Sequence, residues 1–226
     1  GPGMGALTKE LLKIRPDLYA IEKDQRFIEI LFPLLKEHHL IYSDALKFNW
    51  QKFLTENNFK GKRLWLVSNL PYNVATPLFI QFIQIPEIHY MTLMMQKEVG
   101  EKLHYVAGKK NQMCSLLSHS QNYFETELVA NVNPGSFNPP PKVDSIVFKF
   151  IRRESPLIPL EQFEHWEKFL RALFSQKRKQ INHQLKNLVS DEAKRKEILA
   201  TCNVSPQSRA ESLNLPDIQN LYKTIY

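Results

Sequence analysis

The chain is poor in cysteine: two among 226 residues, Cys114 and Cys202, far apart and without metal-type partners nearby in sequence. A disulfide framework is therefore not expected, and a reduced, cytoplasmic chain is. Long apolar runs are also missing. A bilayer span needs about 20 consecutive apolar residues, and stretches such as 28–35 are short and broken by Glu29 and Pro33. No basic-then-apolar leader stands out, so neither a membrane nor export is expected. The histidines lack metal spacing, since His38 and His39 are adjacent rather than a turn apart, and no metal is expected.

What is present is a hydrophobic content of 43%, enough to pack one sizeable domain, or one with a small appendage. The net charge is +7. A basic balance favours an acidic partner, with nucleic acid ahead of a membrane surface. Its placement says more than its size. Between Arg171 and Lys186 stand Arg171, Lys177, Arg178, Lys179 and Lys186 with no acid among them.

Helix-like and strand-like segments alternate through the first half. Helices are predicted over 6–14, 25–36, 48–57, 77–85, 97–104 and 113–121, and strands over 18–21, 40–43, 64–68 and 89–95. Such alternation argues for an α/β fold with a mostly parallel sheet and helices on both faces. Two later strands, 125–132 and 143–151, flank the loop NPGSFNPPPK and read as an antiparallel edge hairpin. Beyond Arg152 the strand signals stop. Helices over 160–174, 178–188, 191–201 and 215–223 suggest a small helical domain, 154–226, after a first domain of 1–153.

Chemistry enters at the strand ends. The chain opens GPGMGALTKELL, with Gly1, Gly3 and Gly5 ahead of a helix. Glycines there let a backbone approach a ligand at a helix N-terminus. Glu22 ends the next strand, where a carboxylate can accept from ribose hydroxyls. Asp44 ends the one after, placed to accept from an adenine amino group. The plain alternative is that each acid only caps a helix. The run LWLVSNLPYNVATPLF then stops a strand at Asn69. An amide there offers a carbonyl acceptor. Pro71 has no N–H and biases Leu70 toward an extended conformation, which leaves the Leu70 carbonyl free to accept as well. Tyr72 can lay its ring on a planar base, or it can be a core tyrosine behind a proline stop.

GPGMGALT, AIEKD, SDAL, NLPYNVATPLF, MMQKEV, FNPPPKVDSIV, FSQKRKQINHQL and SRAESL together resemble the small-subunit ribosomal RNA adenine dimethyltransferases. The resemblance runs in order along essentially the whole chain. It implies the class I methyltransferase fold (Rossmann-like) with a helical C-terminal domain, S-adenosylmethionine as methyl donor, and no metal. It further implies that Gly1, Gly3 and Gly5 contact the methionine end of that donor, that Glu22 holds its ribose, and that Asp44 and Asn69 complete the cofactor site. Asn69 and the Leu70 carbonyl would accept from N6 of the target adenine, with Tyr72 and Phe137 sandwiching the flipped base. Without the motif, Phe137 reads as well as a loop aromatic plugging the core. Lys142 suits a phosphate, as do Lys177, Arg178 and Lys179, although a solvated face is the commoner fate of a charge run.

The family methylates two neighbouring adenosines in a hairpin near the 3′ end of small-subunit rRNA. The expected partner is thus that RNA, or an immature small subunit, met by a monomer. Rival expectations are a large-subunit rRNA adenine methyltransferase and a non-catalytic assembly factor on the same fold. Two departures stand out. Where family members commonly carry a Tyr-Gly-Arg-Leu-Ser-like segment, this chain has Met113-Cys114-Ser115-Leu116-Leu117. The resemblance also places the family's first strand ahead of Gly1, so weak cofactor binding is expected of the chain as it stands.

Overall fold

The computed structural model describes residues 1–35 and 39–226. Lys36, the last residue of one expected helix, and His38 of the adjacent pair lie outside them. The chain divides into two compact units, one of 1–96 with 129–149, the other of 97–128 with 150–226.

The first unit alternates as the sequence suggests: α1 (Ala6–Leu12), β1 (Ala20–Glu22), α2 (Gln25–Leu31), β2 (Leu40–Tyr42), α3 (Trp50–Glu56), β3 (Leu64–Asn69), α4 (Ala75–Ile83) and β4 (Ile88–Gln96). Local chemistry sets several starts. Asp24 caps α2 by accepting from the Arg26 N–H, and Asn49 caps α3 by accepting from the Lys52 N–H. Pro77 sits in the first turn of α4, where its missing N–H has no intrahelical partner to lose. β1 and β2 pair in parallel, with Glu22 opposite Tyr42, and β3 and β4 do the same, with Asn69 opposite Met94. Ile88, Met91, Leu93 and Met95 of β4 are buried, and so are Leu78, Phe79, Phe82 and Ile83 of α4.

β5 (Phe124–Val132) and β6 (Ser145–Arg152) each run through both units. The strands form two ladders, β1-β2 and β3-β4-β6-β5. Arg153, just past β6, donates its N–H to the Tyr123 carbonyl, just before β5, at 2.9 Å. The end of one strand therefore meets the start of the other, and the pair is the antiparallel hairpin expected at the edge.

The second unit adds α5 (Lys97–Glu101), α6 (Ser115–Tyr123), α7 (Phe163–Leu173), α8 (Ile181–Gln184), α9 (Glu192–Thr201) and α10 (Leu215–Ile225). Its core is aromatic. Trp166, Phe169 and Tyr222 lie within 5.2–5.6 Å of one another by ring centroid. Asn122, buried on α6, is a polar hub: it exchanges hydrogen bonds with the Ile158 backbone at 2.9 and 3.2 Å and accepts from Gln219 at 2.9 Å.

One expected element is corrected. Residues 178–188 do not form a single helix: Lys177, Arg178 and Lys179 lie in an exposed turn and α8 begins only at Ile181. Gln180 is extended, and the Ile181 N–H donates to the Ser208 carbonyl at 2.8 Å instead of feeding a helical turn.

His119 on α6 is buried, stacks on Phe163 at 5.2 Å, and finds no hydrogen-bond partner for either ring nitrogen among the described residues. Burial, aided by the Arg171 charge, lowers its pKa from 6.5 to about 3. Below pH 6.5 the unfolded chain therefore takes up a proton that the folded chain refuses, so stability falls as pH falls. The slope approaches about 1.4 kcal/mol per pH unit. Urea denaturation of the wild type should lose about 2 kcal/mol from this group between pH 7 and 5; His119→Leu should remove that part of the slope.

Candidate active site

The glycine stretch folds as its composition requires. Gly3 and Gly5 have φ of +54° and +79°, a left-handed conformation that side chains resist. Gly5 is also the N-cap of α1, and a Cβ there would stand 3.0 Å from Leu34 Cδ1. No atom would lie within 4 Å of a Cβ at Gly3, so the loop is open on that side.

Glu22, at the end of β1, is 5% exposed, and its carboxylate is turned back onto the backbone. Oε2 accepts from the Gly3 N–H at 3.0 Å, and Oε1 accepts from the Lys23 and Asp24 N–H groups at 2.8 and 2.9 Å. A carboxylate offers about four lone-pair sites, so one remains for an outside donor. Gly1 lies against the same carboxylate: a Cβ on it would be 3.2 Å from Oε2. The Glu22 carbonyl takes the Ser43 N–H at 2.9 Å, which brings the next strand end alongside. Asp44 Oδ1 accepts from the Leu46 N–H at 3.0 Å, and its Oδ2 faces Lys23 Nζ at 3.9 Å. The structure thus gathers Gly1, Gly3, Glu22 and Asp44 into one cluster.

Asn69, Leu70, Tyr72 and Phe137 form a second cluster. They line one open cleft of about 420 Å³ together with Pro71, Pro139, Pro140 and Pro141, a size within the range of about 300–1,000 Å³ typical of small-molecule sites. The Leu70 N–H donates to the Met94 carbonyl at 2.9 Å, which anchors the end of β3. Its own carbonyl meets no donor among the described residues. The Val74 N–H closes a turn onto the Pro71 carbonyl at 3.0 Å, and Tyr72 sits within that turn. Its ring is half-buried, as is that of Phe137, which ends a short 3₁₀ turn at 134–136. No hydrogen bond among the described residues joins this cluster to the first.

The basic residues stand apart. Lys142 is exposed at the end of the proline run, in the first unit. Lys177, Arg178 and Lys179 are exposed in the second. Sequence reading did not single out Ser145 or Gln184. Buried Gln184 donates to the Gln176 carbonyl at 2.5 Å and accepts from the Ser175 hydroxyl at 3.0 Å, holding the basic turn at its start. Ser145 is buried and lies 2.8 Å, oxygen to oxygen, from the Tyr72 hydroxyl. Nothing local in sequence announces either interaction. Among the described residues, no group of three or more His, Cys, Asp or Glu is placed to hold a metal ion, and no helix is long and apolar enough to cross a membrane.

Three backbone donors on one buried carboxylate make Glu22 sensitive to loss of charge. Glu22→Gln keeps the volume but must turn its NH₂ toward at least one N–H. Urea denaturation should register a loss of about 1–3 kcal/mol, while the exposed Glu10→Gln stays within about 0.5 kcal/mol.

Known proteins resemble this chain. Residues 1–225 match the ribosomal RNA adenine dimethylase family. Ribosomal RNA small subunit methyltransferase A of Staphylococcus epidermidis is 37% identical, over 99% of this chain and 78% of the relative. The Staphylococcus aureus protein of that name is also 37% identical, over 99% and 77%. Among solved structures, a dimethyladenosine transferase from Plasmodium falciparum superposes with a TM-score of 0.74 at 27% identity, covering 98% of this chain and 86% of that one. The 23S rRNA methyltransferase ErmE gives 0.70 at 21% identity over 100% and 88%, a likeness of fold. With its motifs in order and the match running from end to end, the chain belongs to the ribosomal RNA adenine dimethylase family.

Proposed function

We propose that the chain transfers methyl groups from S-adenosylmethionine to N6 of two adjacent adenosines in a hairpin near the 3′ end of small-subunit rRNA. The observation that carries this is the single cleft lined by Asn69, Leu70, Tyr72 and Phe137. It combines two acceptors with two rings, the set an adenine amino group and its base require. The small-subunit target is supported by the names of the 37% identical relatives. The partner is an immature small subunit, and the chain acts as a monomer in the cytoplasm.

The residues divide the work by position. A base inside a helix cannot be reached, so it leaves the stack. Tyr72 and Phe137 then receive its faces, and such stacking is worth about 1–3 kcal/mol per base. The Asn69 side-chain carbonyl and the Leu70 carbonyl each accept one N6 hydrogen. That holds the nitrogen pyramidal, with its lone pair freed from the ring and aimed at the incoming methyl. The amine becomes acidic only as the new C–N bond forms, and one proton leaves per methyl, so no strong base is needed beforehand. Positioning and fixed dipoles supply the rate. Once N6 carries one methyl, a single hydrogen remains, and the second transfer engages one acceptor only.

The methyl donor's sulfonium supplies the activated methyl group. Gly1, Gly3, Gly5, Glu22 and Asp44 fit its binding: an open glycine loop, a carboxylate with one acceptor site left for a ribose hydroxyl, and a second carboxylate at the next strand end. Lys142, Lys177, Arg178 and Lys179, the last three in the helical region 154–226, hold RNA phosphates.

Two outcomes are expected. With small-subunit RNA as acceptor, Asn69→Ala abolishes methyl transfer and changes RNA affinity less than about twofold. Parallel loss of both, or methylation of large-subunit RNA instead, would contradict the assignment. Replacing Lys177, Arg178 and Lys179 together by Ala weakens RNA binding and flattens its salt dependence by about 0.7–0.9 log units for each phosphate no longer neutralised. Binding isotherms at several salt concentrations measure this; an unchanged slope would remove the turn from the RNA-binding surface.

A further inference from the structure

Why is residue 72 a tyrosine, when a phenylalanine ring would stack as well? Stacking makes no use of the hydroxyl, and the hydroxyl has a partner of its own: Ser145 Oγ at 2.8 Å. Ser145 is the first residue of β6, and its side chain is shut away from solvent, with 1% of the residue exposed. The bond joins positions 73 apart in sequence. It does so at a telling place. Tyr72 belongs to the turn after β3, and residues 69–72 line the cleft. The other lining residues, Phe137 and Pro139–Pro141, belong to the segment 133–144 that leads into Ser145.

We propose that Ser145 is a positioning residue for methyl transfer, which fixes the Tyr72 ring, and with it the width of the base slot, through this hydrogen bond. The proposal rests on the reading that Tyr72 stacks on the target base. A phenol ring in a short turn retains two side-chain torsions. An anchor on a strand residue removes that freedom before the base arrives, so less order has to be created on binding. Ser145 suits the task because the strand ladder holds its backbone and burial holds its hydroxyl. The bond also ties the turn after β3, which carries one stacking ring, to the strand start that follows the segment carrying the other.

A double-mutant cycle tests this on the full chain. The variants are Tyr72→Phe, Ser145→Ala and the pair. The RNA is the 3′ hairpin with 2-aminopurine at the target adenosine, whose emission is quenched by stacking and can be read without the methyl donor. Single-turnover methyl transfer is measured on unmodified RNA. Each single variant should raise 2-aminopurine emission in the complex and slow transfer about two- to tenfold, with RNA affinity within about twofold of wild type. The pair should be no worse than the poorer single variant. Wild-type emission and rate for Ser145→Ala or Tyr72→Phe, or losses that multiply in the pair, would overturn the proposal. If Ser145→Ala fails to fold, Tyr72→Phe alone decides, because its change lies on a half-exposed ring. Tyr72→Ala separates the two levels: normal emission and rate for it would sink base stacking itself, whereas loss there beside intact Tyr72→Phe and Ser145→Ala would sink only the role of Ser145.

Discussion

The site depends on how β3 ends. The Leu70 N–H is held by the Met94 carbonyl, the last rung of a parallel ladder, and the next residue is a proline. The backbone cannot continue the ladder through Pro71, nor can Leu70 turn into the helical region ahead of it. One carbonyl is therefore left without a donor among the described residues, at a residue that lines the same cleft as Asn69. Two acceptors at consecutive residues, set by a strand end rather than a flexible loop, follow from one hydrogen bond and one ring closure. The cleft, the stacking faces and the turn into α4 are arranged around that point.

The same economy appears at Glu22. A buried carboxylate must find donors, and here it finds three backbone N–H groups, one of them from Gly3. It shapes the glycine loop and leaves one acceptor site open. Whether an acid at a strand end acts as a cap or as a ligand-binding group is thus not a choice between alternatives, because the same oxygens can satisfy backbone donors while one lone pair remains available. Asp44 repeats the pattern more openly, with one oxygen on the Leu46 N–H.

Much of this was legible in the sequence because it is local. Glycines ahead of a helix, acids near strand ends and an amide shortly before a proline act through their own backbones: Gly5 is the N-cap of α1, Glu22 ends β1 and Asn69 ends β3. The edge hairpin was legible because two strand-like runs flank a proline-rich loop. What could not be read depends on distant partners. The basic run Lys177–Lys179 has helix-forming residues, yet the Ile181 N–H goes to Ser208 and Gln184 ties back to Ser175 and Gln176, so an exposed turn forms instead. Ser145 looks like an ordinary strand residue until Tyr72 is found beside it. His119 carries no sequence sign that it lies dry among Phe163, Tyr123 and Trp166.

The central claim is that both hydrogens of one adenine amino group are taken by Asn69 and the Leu70 carbonyl. Proton NMR of the complex, with the hairpin ¹⁵N-labelled at N6 of the target adenosine, tests it without turnover. Binding should separate the two amino protons into distinct downfield, slowly exchanging resonances, and Asn69→Ala should return one of them toward its free position. An amino signal that stays as it is in the free hairpin, or that ignores Asn69→Ala, would contradict the account.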